Sequence, residues 1–215
     1  MSVKASARGG GLARLLGTIE PRPFSGTVYR FIGSRHLRSP LASAGSKLHG
    51  GRFNPPGRFE VLYTALAADT ALVEREGILL TAAAIKLVRG VRTAVLLRIE
   101  CRLTSILDLA DERIRRQLRI PLVDLLGPWL PWNFPVRSDA VDQPETHVAP
   151  SQLIGVSVYA SRRFEAILAP SSKDPAGRCL AIMPERLHAS SSVSVDDPEG
   201  TISRALGLPQ RPQRP

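Results

Sequence analysis

Gly50-Gly51-Arg52-Phe53-Asn54-Pro55-Pro56-Gly57 is the stretch on which the reading of this chain turns. Two adjacent glycines allow unusual backbone angles and close approach of another chain segment. In an extended segment Arg52 and Asn54 would face one way and Phe53 the core. A guanidinium fork and an amide offered together suit a phosphate and a ribose hydroxyl. A solvent turn stiffened by Pro-Pro is the competing reading, and spacing alone does not decide between them.

Upstream, Thr27–Ile32 reads as a strand with Arg30 inside it. Burying an arginine in an apolar strand is costly unless it meets an anion. Residues 33–57 show no periodicity and read as a long loop, of a length usually functional or disordered. Downstream, Phe59–Ala65 alternates Val61, Tyr63 and Ala65 on one face, as a strand does. Asp69 or Thr70 can cap a helix over about 70–84. Glu74 falls early in that helix, where a carboxylate is favoured by the helix dipole. Glu76 competes with it, but two residues apart on a helix point about 200° apart. Leu72 and Val73 beside Glu74 mark it as the residue nearer the packed side.

Further on, Thr93–Ile99 alternates and reads as a strand. Asp108 is expected to cap a basic helix at about 110–119, and a short helix fits 121–126. Residues 121–148 otherwise look irregular. Ser151 is expected to cap a helix at about 151–160. Phe164–Ala169 and Cys179–Met183 read as a hairpin across a polar turn from Ser171 to Gly177. Ser171 and Ser172, taken alone, are turn serines.

The chain's 215 residues are enough for one domain with a real core. Gly-rich residues 1–20 read as a loose arm with a short helical turn at Leu12–Leu16. Residues 188–215, with a Ser run and a Pro/Gln/Arg tail, read as low-complexity and disordered. The folded domain is thus expected at about 21–187. A net charge of +10 favours polyanions, including nucleic acid or a phosphate-bearing cofactor. The charges are spread, and the tightest cluster is Arg113, Arg115, Arg116 and Arg119. Aromatics are only 5%, so a base-stacking surface has little to work with. Neither GxGxxG after a strand nor GxxxxGK[ST] occurs, which argues against the usual glycine-loop nucleotide sites. Cys101 and Cys179 sit singly, without metal spacing, and read as buried free thiols. With no apolar leader and no run near the ~20 residues of a membrane span, a cytoplasmic protein without a metal is expected.

Taken together, an arginine on an early strand, G-G-R-F-N-P-P-G, a tyrosine on the next strand, A-L-V-E eleven residues on, and a late strand running into P-S resemble the RES domain. The resemblance runs from about Thr27 to Met183, with Phe53 where the family usually has tryptophan. It implies an α+β fold: a single ADP-ribosyltransferase-like domain of mixed, mainly antiparallel sheets flanked by helices. It implies NAD as substrate, cleaved by hydrolysis or phosphorolysis, with ADP-ribosyl transfer to a protein as an alternative. It implies an Xre-type helix-turn-helix antitoxin as partner; homo-oligomerisation is left open. The resemblance assigns the name-giving Arg, Glu and Ser to Arg30, Glu74 and Ser171. It places NAD contacts at Arg52 and Tyr63, with Asn54 and Gly51 beside them. Ser171 would orient Glu74 or an arginine rather than attack, since no histidine is placed to activate it. His36 and His49 are read as bystanders. A basic nucleic-acid binder without catalysis is the rival from another class.

Overall fold

The computed structural model describes residues 11–84, 94–133, 148–197 and 205–207. Seven strands form one sheet: β1 (Arg22–Gly33), β2 (Leu62–Ala65), β3 (Ala94–Asp108), β4 (Ala166–Pro170), β5 (Arg178–Ile182), β6 (Ser192–Val195) and β7 (Ala205–Gly207). Helices are α1 (residues 11–16), α2 (Ala44–His49), α3 (Ala68–Ala84), α4 (Glu112–Leu118), α5 (Leu122–Leu126) and α6 (Pro150–Ser161). The strand order is β1-β2-β5-β4-β3-β6-β7. Pairing is antiparallel throughout, except that β3 and β4 run parallel. The expected mixed, mainly antiparallel α+β architecture is thus present, with one sheet in place of several. β1 also pairs with β3 along its length and meets β2 at Tyr29 and Ala65, so strands β1-β2-β5-β4-β3 return on themselves.

Both faces of the central strands are buried, and alternation sorts them between two cores. Leu62, Leu168, Leu180 and Ile182 join Val28, Ile32, Leu97, Ile99 and Leu103 in one. Val61, Ile167 and Ala181 join Phe53, Leu107, Leu125, Ile154, Val158 and Phe164 in the other, under α5 and α6. Helix α6 comes in unusually close: a Cβ on Gly155 would overlap the Phe53 carbonyl.

Several expectations need correction. The packed structure extends past 21–187 at both ends. Leu16 and Ile19 are buried in the second core, so residues 11–20 are not a loose arm. Within the expected tail, Ser-Val-Ser-Val at 192–195 forms β6 against β3, with Val193 buried. Residues 1–10, 198–204 and 208–215 lie outside the described residues, as do most of the irregular stretch 121–148 after Asn133. The strand expected at Thr93–Ile99 runs on to Asp108. Asp111, not Asp108, caps α4, its carboxylate accepting from the Arg113 N–H at 2.8 Å. Asp108 instead closes a turn, accepting from Ala110 and Asp111. Ser151 lies inside α6. Gln152 serves that helix start, its side chain accepting from the Ala149 N–H at 3.0 Å. The long loop 33–57 holds a 3-10 turn at Ser34–His36 and helix α2. Among the described residues no helix is long and apolar enough to cross a membrane.

Candidate active site

The Gly50–Gly57 stretch is not extended. Gly51 and Asn54 form an isolated bridge, the Gly51 N–H donating to the Asn54 carbonyl at 2.8 Å, with Arg52 and Phe53 as the two corner residues. The alternation that put Arg52 and Asn54 on one face therefore fails. Phe53 goes into the core and Arg52 turns the other way. Asn54 is fully buried. Its amide donates to the carbonyls of Ser46 (2.7 Å) and Phe59 (3.0 Å), and its oxygen accepts from the Tyr63 hydroxyl (2.7 Å). Asn54 is thus a brace for the turn, its amide and its oxygen both engaged within the chain.

Tyr63 has the same structural duty. Its hydroxyl also accepts from the Phe53 N–H at 2.8 Å. Its ring lies so close under Gly51 that a Cβ there would sit 2.5 Å from Cε2. Burial pushes the Tyr63 phenol well above its ordinary range, and the Phe53 N–H bond only partly offsets this. From the other side Gln152, fully buried, donates to the carbonyls of Gly51 (3.0 Å) and Asn54 (3.3 Å) and to the Asn133 side chain (2.9 Å). Gly50 has φ +73°, and a Cβ there would crowd the same Asn133 amide. The turn that presents Arg52 is therefore clamped on both sides.

Arg52 spans the site. Nη1 donates to the carbonyls of Leu125 (2.6 Å) and Gly127 (2.9 Å) at the end of α5, and Nη2 to the Ser172 hydroxyl (2.6 Å). Burial depresses its pKa, and the negative charge of Glu74 opposes that. No carboxylate among the described residues forms an ion pair with it.

Glu74 meets the end of the β4–β5 hairpin. Oε1 accepts from the Ser171 hydroxyl at 2.6 Å and the Ser172 N–H at 2.9 Å, with the Ser172 hydroxyl at 3.5 Å. No described protein donor reaches Oε2. Glu76 is exposed, whereas Glu74 is half-buried at the Ser171–Ser172 turn. Leu72 and Val73 do not mark a packed side, since they are 38% and 39% exposed. The packed side of α3 is marked by buried Thr70 and Ala71 instead.

Ser171 and Ser172 divide the work. Ser171 donates to Glu74 while its oxygen accepts from the N–H groups of Lys173 (3.1 Å) and Asp174 (3.0 Å). Ser172 links Glu74 to Arg52, a bridge that nothing in its sequence neighbourhood announces. Cys179 on β5 was expected to be an inert buried thiol. It is half-buried and sits within the field of Glu74 and Arg52. Burial first, then Glu74, push its thiol up to about 12.

Arg30 stands apart from this group. Its guanidinium donates to the carbonyls of Ala42 (3.1 Å) and Pro40 (3.5 Å), and no hydrogen bond or ion pair joins it to Glu74, Arg52 or Ser171. Burial without a carboxylate partner pushes its pKa down to about 10. His36 accepts from Arg35, and the His49 carbonyl accepts from Asn133; neither side chain touches Glu74. The Arg113–Arg119 cluster is largely engaged within the chain. Arg113 pairs with Asp111, Arg116 with Glu112 at 2.6 Å, and Arg115 donates to the carbonyls of Leu109 and Ala110.

The chain is similar to known proteins in sequence and in fold. A short stretch of 60 residues is 42% identical to proteins named NAD(+) phosphorylase MbcT from Mycobacterium bovis and from Mycobacterium tuberculosis. It covers 28% of this chain and 30% of those relatives. The fold matches the crystal structure of the M. tuberculosis MbcT–MbcA toxin–antitoxin complex with a TM-score of 0.58 at 21% identity, covering 83% of this chain and 85% of that one. The sequence model of the RES domain matches residues 27–204, most of the chain, and the chain therefore belongs to the RES domain family.

Proposed function

We propose that this chain consumes NAD by cleaving the bond between nicotinamide and ribose, as the toxin of a toxin–antitoxin pair. The observation that carries the reading is the state of Glu74. Its Oε1 is fixed by the Ser171–Ser172 turn, while no described protein donor occupies Oε2. A carboxylate so held can accept a hydrogen bond from a ribose hydroxyl without first breaking its own support.

The leaving group is already a cationic pyridinium, so the reaction needs little acid assistance. Its transition state is oxocarbenium-like, as in glycoside hydrolysis. Glu74 would stabilise positive charge that develops on the ribose only in that state. Arg52 would set the field around the dinucleotide, its remaining N–H groups facing a phosphate. Arg30, half-buried without a carboxylate partner among the described residues, would serve a second anionic group. Ser171 and Ser172 orient Glu74, and Ser171 does not act as a nucleophile. Tyr63, Asn54 and Gly51 support the turn that carries Arg52. The overall fold on this reading is of the ADP-ribosyltransferase kind, and a protein antitoxin of the Xre type would cover the site in the cell's cytoplasm.

The acceptor favoured is inorganic phosphate, on the strength of the name borne by the partial relatives. The balanced reaction is NAD plus hydrogen phosphate giving nicotinamide, ADP-ribose 1″-phosphate and a proton; with water it gives nicotinamide, ADP-ribose and a proton. The test is incubation of the pure protein with NAD, with and without phosphate, and identification of the products. Phosphate-dependent appearance of the phosphorylated ADP-ribose supports phosphorolysis, and free ADP-ribose under both conditions supports hydrolysis. Unchanged NAD under both would overturn the proposal.

A further inference from the structure

Glu74 is only as well aimed as the turn that holds it, and that turn is gripped a second time by the same helix. Thr70 and Glu74 lie four residues apart on α3, on one face. Thr70 is 1% exposed, and its hydroxyl donates to Asp174 Oδ2 at 2.6 Å. Asp174 is the fourth residue of the Ser171–Gly177 turn. Its N–H donates to the Ser171 hydroxyl, the atom that donates to Glu74. Its other carboxylate oxygen accepts from the Ala176 N–H at 3.1 Å. The turn closes where the Ser171 N–H donates to the Gly177 carbonyl at 2.9 Å. Gly177 is what lets the chain pass: a Cβ there would overlap the Asp174 carboxylate and the Thr70 side chain.

The geometry points to Thr70 and Asp174 as positioning residues: a second rung, one helical turn before Glu74, that holds the Ser171–Gly177 turn against α3 and so fixes the direction of the Glu74 carboxylate. This rests on the reading of Glu74 as the residue acting on the ribose. Neither residue needs to touch the substrate. Loosening the rung leaves Glu74 in place but lets its oxygens wander, and small misplacements of a reacting group cost large factors in rate.

The test uses the full chain with Thr70→Val, Thr70→Ser, Asp174→Ala and the Thr70→Val/Asp174→Ala double variant. Valine keeps the shape of threonine and removes the donor; serine keeps the donor. Thr70→Val and Asp174→Ala are expected to lower kcat for NAD loss about tenfold with KM within about twofold, while Thr70→Ser stays near the parent. The double variant should be no slower than Asp174→Ala, because the Thr70–Asp174 bond is already lost in that single variant. Independently of activity, amide hydrogen exchange at residues 172–174 should speed up in Thr70→Val and not in Thr70→Ser. Full kcat in Thr70→Val, equal losses in the serine and valine variants, or unchanged exchange would each overturn the rung. If the parent protein itself leaves NAD untouched, the functional reading falls, and the exchange measurement still decides the rung.

Discussion

Replacing Glu165 with glutamine should destabilise the whole fold. Glu165 is fully buried just before β4, the strand that delivers Ser171 to the site. Among the described residues no cation forms an ion pair with it. Oε2 accepts instead from the N–H groups of Thr104 (2.7 Å) and Ser105 (2.9 Å), and Oε1 from that of His188 (2.6 Å). The carboxylate therefore ties β3 to the segment leading into β6. Burial pushes its pKa up, but the N–H of His188, then the Ser191 hydroxyl and the N–H groups of Ser105 and Thr104, hold the carboxyl below its ordinary value. Glutamine keeps the shape and turns one acceptor oxygen into a donor that faces donors. Three charge-assisted bonds weaken by about 1 kcal/mol each or are lost, and one buried N–H left without an acceptor adds about 1–3 kcal/mol. Relief of the buried charge gives part of this back, leaving a loss of about 3 kcal/mol. For a chain of this size that is a fall in Tm of about 6–12 °C. The sign with pH follows from the depressed value. The stabilisation is present above the unfolded pKa of about 4.3 and is lost as pH falls from there through the folded value. Urea unfolding of parent and Glu165→Gln at pH 7 and at a series of lower pH values reads both effects. A variant within about 1 kcal/mol of the parent at pH 7, with the same acid slope, would refute the reasoning.

Tyr63→Phe removes an acceptor for the Phe53 N–H and a donor to Asn54, so about 1–3 kcal/mol of stability should go, measured by thermal unfolding. The loss should also raise KM for NAD, because the turn carrying Arg52 loosens; an unchanged KM would mean that the turn is held without the phenol. Arg52→Ala should raise KM several-fold or more. Arg52→Lys should not rescue it, since an ammonium cannot reach two α5 carbonyls and Ser172 as a planar fork does. A calorimetric NAD titration showing equal affinity in Arg52→Ala would remove Arg52 from the binding surface.

The strands most readable from sequence were those buried on one or two clean faces. The alternation at Val61, Tyr63 and Ala65 and the two apolar runs of the hairpin carried their own period, and β2, β4 and β5 follow them. β3 was cut short at Ile99, where Glu100, Arg102 and Thr104 interrupt the apolar impression. Yet Cys101 and Leu103 continue the inward face between pairings on both sides. β6 was missed because its inward residues are two valines among serines, and their burial depends on β3, far away in sequence. Glu74 stood out only through its spacing with the Gly-rich segment, Tyr63, Arg30 and Ser171, because taken alone a glutamate early in a helix reads equally well as a helix-start residue. Asn54 was misread because the bridge between Gly51 and Asn54 breaks the two-residue alternation, which no local signal of Pro-Pro or glycine specifies. Ser172, Gln152 and Cys179 reach the site through partners tens of residues distant. Their roles come into being only when the hairpin, α6 and the Arg52 turn converge.

The most direct test of the account is NAD turnover by purified Glu74→Gln beside the parent, with circular dichroism and thermal unfolding confirming that both are folded. Glutamine keeps the side chain's reach toward the Ser171–Ser172 turn and removes the negative charge proposed to stabilise the ribose cation. The account predicts that the folded variant releases no measurable nicotinamide while the parent consumes NAD. Undiminished release by a well-folded Glu74→Gln would contradict it.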